Sequence, residues 1–336
     1  MVETVTRRRK DLDKKAGTAD KKDSGRKVED RKVLRGRYNP KLSDKDSSIS
    51  HSMLAKLVIG AGAVIYLIYN KMQESEGFVR MAGVEEDIDI KRVQQFLCSP
   101  TYKREIQELN PPCVPTKCGR FLVDNLVSTA EAHALLDIAK KGLSKGGGAG
   151  GASILDLHSG ALSYGENFIN LYTSHPNLYT KHDFQVYSTV KDRVKRAVSE
   201  HFNIDDDQLY LTHPTFFSEL TSLPAKTLHD EYWHDHIDKD TYPSFHYTSL
   251  LYLTNYKRDF TGGRFIFIDN HSKTNRTVEP KEGRVSVFTS GPENRHRVEE
   301  VSGGTRYALT MGFTCDKTKR IADPGLDQDN KDHDQN

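Results

Sequence analysis

Between Phe245 and Thr314 the chain breaks into four short apolar runs separated by glycine and proline, and this narrows the fold more than any other feature. The run FHYTSLLYLT (245–254) is rich in aromatic and β-branched residues and predicts a buried strand. Gly262-Gly263 then turns the chain into RFIFI (264–268). RVSVFT (284–289) follows, stopped by Ser290, Gly291 and Pro292, and TRYALTMGFT (305–314) is the last run. Short strands with Gly and Pro turns between them predict an all-β barrel or sandwich, and no internal repeat is visible.

The same stretch carries metal-binding chemistry. His236 and Asp238 stand two residues apart, and side chains on a strand alternate with period 2, so both point to one face. His296, about sixty residues on, can close a triangular face around a metal. Two His and one carboxylate leave the opposite face open, the geometry of non-haem Fe(II) oxygenases. Arg306 follows, and a guanidinium beside such a site suits a ligand carboxylate. With 14 His in the chain about one His-x-Asp is expected by chance, so the surrounding strands supply the specificity. His229 and His234 crowd the first ligand. In one reading they are structural or hydrogen-bond to it. In the other, His234-x-His236 is the strand pair, as in cupins, with a different metal. Tyr232 and Trp233 line the pocket mouth or its core.

Taken together, His236-x-Asp238, the YLTN and GGRFIF runs, the TSG turn, His296 and Arg306 resemble the catalytic core of the prolyl 4-hydroxylase group of 2-oxoglutarate/Fe(II) dioxygenases. The likeness extends from about Cys113 to Cys315 and takes in FLVDNLVSTAEAHALLDIAKKGL, GGASILDLHSGAL and HPTFFSEL. It implies a mainly β fold with flanking helices, built on a double-stranded β-helix (jelly-roll) core. It implies Fe(II) on His236, Asp238 and His296, with 2-oxoglutarate and O2 as co-substrates, L-ascorbate to restore over-oxidised iron, and a protein side chain as the group hydroxylated. Arg306 would hold the distal carboxylate of 2-oxoglutarate. Tyr252 and Thr248 occupy strand positions where related enzymes put further contacts to it, ordinary strand packing being the other reading. Ser128 and Glu131 form a capping box opening a helix to about Lys145, and a second amphipathic helix runs from about His182 to Phe202. These two helices should brace one face of the barrel.

The remainder of the chain is appendage. Residues 1–52 hold 16 Lys and Arg against 9 Asp and Glu and almost no large apolar side chain, which predicts a disordered basic tail. Only Tyr38 is interleaved with those charges, which speaks against nucleic-acid binding. Residues 53–71 are long enough for a short membrane span, with Lys56 placed to snorkel at one end and Tyr66 and Tyr69 near the other. Positive charge precedes the span, so the tail is expected in the cytosol, with residues 72–120 a polar stem and 121–316 the dioxygenase domain. That makes a single-pass type II protein with its domain in the lumen of the endoplasmic reticulum or Golgi, or outside the cell. The sequons at Asn270 and Asn275, read as a loop, and four cysteines (Cys98, Cys113, Cys118, Cys315) on the same side fit that compartment. One or two disulfides are expected, most readily through Cys113 or Cys118, with three pairings open. Residues 317–336 are expected to be a disordered tail. Two other classes of function stay open: a catalytically silent lumenal binding domain, and a membrane tether acting through its basic tail on anionic lipid.

Overall fold

The computed structural model describes residues 56, 58–66, 77–269 and 274–325, the His229 side chain excepted. The N-terminal part of the domain contributes β1 (Phe78–Ala82), β2 (Arg92–Phe96), helix α1 (Pro100–Leu109) and β3 (Cys118–Val123). Helix α2 (Thr129–Leu143) leads to β4 (Gly147–Gly148), β5 (Ala152–Leu155), β6 (Ala161–Gly165) and β7 (Asn167–Asn170). Helix α3 (Lys181–Phe202) precedes β8 (Tyr210–Thr221) and β9 (Tyr247–Tyr252). The C-terminal part adds β10 (Phe260–Gly262), β11 (Phe265–Phe267), β12 (Asn275–Val278), β13 (Val285–Thr289), β14 (His296–Val298) and β15 (Val301–Thr314).

The strands form two sheets. The larger runs β2-β3-β13-β9-β15-β8-β5-β6-β4, with β10 on β15 and β7 on β6; the smaller runs β1-β12-β11-β14. Period 2 decides what each face sees. On β9, Tyr247 and Leu251 turn toward α2 and α3 and join the larger core, while Leu250 and Tyr252 turn to the other face and pack with Phe265 and Phe267 of the small sheet. On β15, Leu309, Met311 and Phe313 go with the helices and Ala308 goes inward. The predicted β architecture, with two helices covering one face, is therefore what the chain adopts.

Both helices start where their caps dictate. Ser128 and Glu131 make the reciprocal capping box of α2, and Thr180 and Asp183 make that of α3. Helix α3 buries Tyr187, Val190, Val194, Val198 and Phe202, one stripe at helical spacing. At roughly 1.5–3 kcal/mol for each large apolar side chain, that stripe is the main reason the helix holds. Asn203, at φ 55°, takes the left-handed conformation that ends it.

Several expectations are corrected here. Residues 78–120 are not a free stem: β1 and β2 join the two sheets, and Pro111–Cys113 is a single 3-10 turn. The buried Arg284 locks this region down. Its guanidinium donates to the carbonyls of Gly83 (3.0 Å) and Glu86 (2.9 Å) and to both oxygens of Asp124 (2.7 and 2.9 Å). Two disulfides add to this, Cys98–Cys118 and Cys113–Cys315. Residues 317–325 are also packed, since the Asp323 carboxylate takes hydrogen bonds from Ser188 and Lys191 of α3. The Asn275 sequon lies in β12, not in a loop, and Asn270 falls outside the described residues. Of the expected span 53–71, only residues 56 and 58–66 are described, and they are helical; among the described residues no helix is long and apolar enough to cross a membrane. The basic tail 1–52 and residues 326–336 lie outside the described residues.

Candidate metal centre

Ile237 is extended, so alternation carries His236 and Asp238 to one side, as expected. They do not share a strand, however. His236 makes a single antiparallel bridge to His296, and Asp238 begins a one-turn helix, Asp238–Thr241. The turn forms because the amides of Asp240 and Thr241 fold back on the Ile237 carbonyl. The His236–His296 bridge brings β14 alongside. The result is a group of three ligand atoms, from His236, Asp238 and His296, all within 4.8 Å of one another. Asp238 Oδ1 lies 3.5 Å from the Nε2 of each histidine.

The surroundings prepare these atoms. His236 Nδ1 donates to the His234 carbonyl (3.0 Å) and His296 Nδ1 to the Asn294 carbonyl (2.8 Å). A carbonyl can only accept, so each ring keeps its proton on Nδ1 and presents the Nε2 lone pair to the centre. Thr248 donates to Asp238 Oδ2 at 2.6 Å and meets Ser290 Oγ at 2.8 Å, leaving Oδ1 turned inward. Phe265 stacks on His296 at 4.8 Å and fixes the ring plane. Burial pushes the His296 imidazole down to about 4. Burial would raise the Asp238 carboxyl, but His296, His236 and Thr248 outweigh it and hold it below its ordinary value. Burial would lower His236, but the Asp238 carboxylate and the His234 carbonyl hold it above its ordinary value, so a metal would displace a proton there; ionised carboxylate and neutral imidazole are the forms a metal needs.

Arg306 opens onto the same cavity, a space of about 590 Å³. It is 1% exposed, its Nε donates to the Gly263 carbonyl at 3.0 Å, and its Nη2 has no hydrogen-bond partner among the described residues. The Gly262-Gly263 turn makes that contact possible. Both residues have positive φ, and a side chain on Gly263 would press on Arg306 Cδ at 3.1 Å. Burial lowers the Arg306 pKa, Tyr252 and Tyr232 offsetting part of it. A desolvated guanidinium with an unused donor is an anion site, and the planar fork fits a carboxylate. Three converging ligands and this anion site fit an Fe(II) ion and a 2-oxo dicarboxylate in one cavity.

Other expectations land differently. Thr248 lines the cavity and its hydroxyl is given to Asp238. Tyr252 does not line the cavity: its hydroxyl meets Ser286 Oγ at 3.1 Å, and the Arg306 guanidinium lies 5.5 Å above its ring. His234 turns its ring to Glu231 (2.7 Å), so His234-x-His236 is not the pair that converges. Tyr232 lines the cavity and its hydroxyl accepts from the Val301 amide at 3.0 Å. Ser290 and Asn294, which support the ligands, were missed. The only sequence signal for them is the Ser290-Gly-Pro turn that ends β13.

Residues 225–313 match the 2OG-Fe(II) oxygenase superfamily. The chain is similar to the human "2-oxoglutarate and iron-dependent oxygenase domain-containing protein 3", 46% identical over 274 residues, 80% of this chain and 85% of that protein. The mouse protein of the same name is 55% identical over 272 residues, again covering 80% and 85% of the two chains. Among solved structures, a 2OG-Fe(II) oxygenase family oxidoreductase from Burkholderia pseudomallei aligns with TM-score 0.41 and 14% identity, over 70% of this chain and 100% of its own.

Proposed function

This chain belongs to the 2-oxoglutarate- and iron-dependent oxygenase family and is a 2-oxoglutarate/Fe(II) dioxygenase; from that premise we propose that it hydroxylates a protein side chain from a membrane-anchored position, with its domain in the lumen of the secretory pathway. The observation that carries the site assignment is the buried Arg306, whose Nη2 has no hydrogen-bond partner among the described residues, in the same cavity as His236, Asp238 and His296. In this reading the three side chains hold Fe(II), and Arg306 anchors the distal carboxylate of 2-oxoglutarate. When bound, iron and 2-oxoglutarate would let O2 act as the oxidant: one oxygen atom turns a C–H bond into C–OH, the other enters succinate as 2-oxoglutarate loses carbon dioxide, and ascorbate keeps the iron reduced. The protein's share is positional. The backbone carbonyls of His234 and Asn294 aim the imidazoles, and Thr248 aims the carboxylate. Leu250, Phe265 and Val298 line the cavity with apolar surface that excludes water around them.

The membrane reading rests on the charge asymmetry around residues 53–71, the sequons at Asn270 and Asn275, and two disulfides, which oxidising compartments favour. Anaerobic titration of the full-length protein with Fe(II) and 2-oxoglutarate, followed by succinate release in air, tests the chemistry. Loss of binding and succinate in Asp238→Ala is the expected result. Retention in that variant, with loss in His234→Ala, would overturn the ligand set. Protease treatment of sealed microsomes should spare the domain and remove the basic tail; the reverse pattern would invert the topology.

A further inference from the structure

The cavity is charged unevenly once its own chemistry is set aside. Asp238 and Arg306 are taken up by the iron and the 2-oxoglutarate. The other charged side chains lining it, among the described residues, are Glu166, Asp230 and Glu231, with no further lysine or arginine. Glu166 sits in the turn between β6 and β7, exposed and without an ion pair among the described residues. Asp230 is 5% exposed and accepts from the amides of Lys226 (3.0 Å) and Thr227 (2.8 Å). Those donors, both on Oδ2, are neutral dipoles and bring no compensating positive charge. Glu231 meets the His234 ring. The neighbouring arginines are committed elsewhere, Arg297 to Asp235 at 3.2 Å and Arg264 to Glu299 at 2.8 Å. Exposed apolar side chains complete the lining, Phe168 at 56% and Leu228 at 84%. Carboxylates set among low-dielectric walls focus their field into the cleft, attract cations and repel anions.

We propose that the substrate is a peptide segment carrying a lysine or arginine beside the residue it presents to the metal, an inference that rests on the hydroxylase reading above. Glu166, Asp230 and Glu231 are its specificity-determining residues, and Phe168 and Leu228 grip the apolar side chains next to the basic one. A segment with aspartate or glutamate at that place meets like charge and is rejected.

The test uses the full-length protein, Fe(II), 2-oxoglutarate and ascorbate. Succinate is first measured without peptide, as the check on the oxygenase reading itself. Three synthetic peptide pools of matched apolar composition are then compared, differing only in whether the charged positions hold Lys/Arg, Ser/Gln or Asp/Glu. Hydroxylated product is read by mass. The basic pool should give the lowest KM, rising as salt is added. Glu231→Lys and Glu166→Lys should each raise that KM roughly tenfold, against no change for the remote, exposed Glu108→Lys. Equal KM for the three pools, or preference for the acidic one, overturns the inference and leaves the oxygenase standing. No succinate under any condition sinks the underlying reading, and the inference with it.

Discussion

At the scale of single residues, the site divides into side chains that hold and side chains that aim. Arg306 is of the first kind. Replacing it by leucine removes a charge-assisted pair in a dry pocket, worth a few kcal/mol, and should weaken 2-oxoglutarate on the order of a hundredfold. Iron titration should be unaffected in Arg306→Leu; unchanged 2-oxoglutarate affinity there would refute the anchor. Thr248 is of the second kind. In Thr248→Val the Asp238 carboxylate loses its 2.6 Å donor, and iron affinity should drop by about 10–100-fold. Wild-type iron affinity in that variant would show the contact to be incidental. The triad could be proposed from the sequence because residue type and a two-residue spacing stand beside strand runs whose pattern resembles the family's core. The roles of Thr248 and Tyr252 could not. Alternation places both on the inner face of β9, but four residues span about 13 Å of strand. One therefore ends against Asp238 and the other beneath Arg306, and nothing in the sequence records that depth.

At the scale of elements, the four C-terminal runs and the two capped helices were legible within a few residues, because each carries its own signal of periodicity, capping or turn chemistry. Among the elements that escaped, β1 (FVRMA) and β2 (RVQQF) are short and dependent on distant partners. Phe78 pairs with Asn275 and Arg92 with Leu122, so no local window contains their reason for being strands. Arg284 supplies part of that reason. It is 0% exposed and joins β13 to the loop after β1 and to Asp124 after β3. Arg284→Met removes the bidentate partner of a mostly buried Asp124 carboxylate, leaving only Lys281 at 3.7 Å, and should cost about 3–5 kcal/mol in denaturant unfolding. Asp124→Leu added to it should restore part of the loss. Burial would raise the Asp124 carboxyl, yet Arg284, the Ile88 amide and Lys281 hold it below its ordinary value. A depressed folded pKa gives stability that is complete above the unfolded value of about 4 and disappears as pH falls through the folded one. The gap between wild type and Asp124→Asn should therefore narrow below about pH 4. A gap that stays constant into acid would mean the pair's charge contributes nothing.

At the scale of the whole molecule, the compartment and the covalent frame stand or fall together. Cys113–Cys315 ties the segment ahead of β3 to the end of β15, which pairs with both β8 and β9, across a sequence separation of 202 residues. Closing so long a loop removes much of the unfolded chain's freedom, worth about 5 kcal/mol by chain-entropy reasoning. Cys98–Cys118 closes only 20 residues and should contribute about 3 kcal/mol. Cys113→Ser should therefore lower stability more than Cys98→Ser, as read by unfolding of the oxidised proteins. The metal ligands lie elsewhere, so iron binding by the folded fraction should survive both. A reducing cytosol would leave neither bond in place, so the same cysteines report where the domain resides. Alkylation before reduction, on protein taken from cells and read by mass, should find both pairs closed. Four free thiols would remove the covalent frame and count against the proposed lumenal placement.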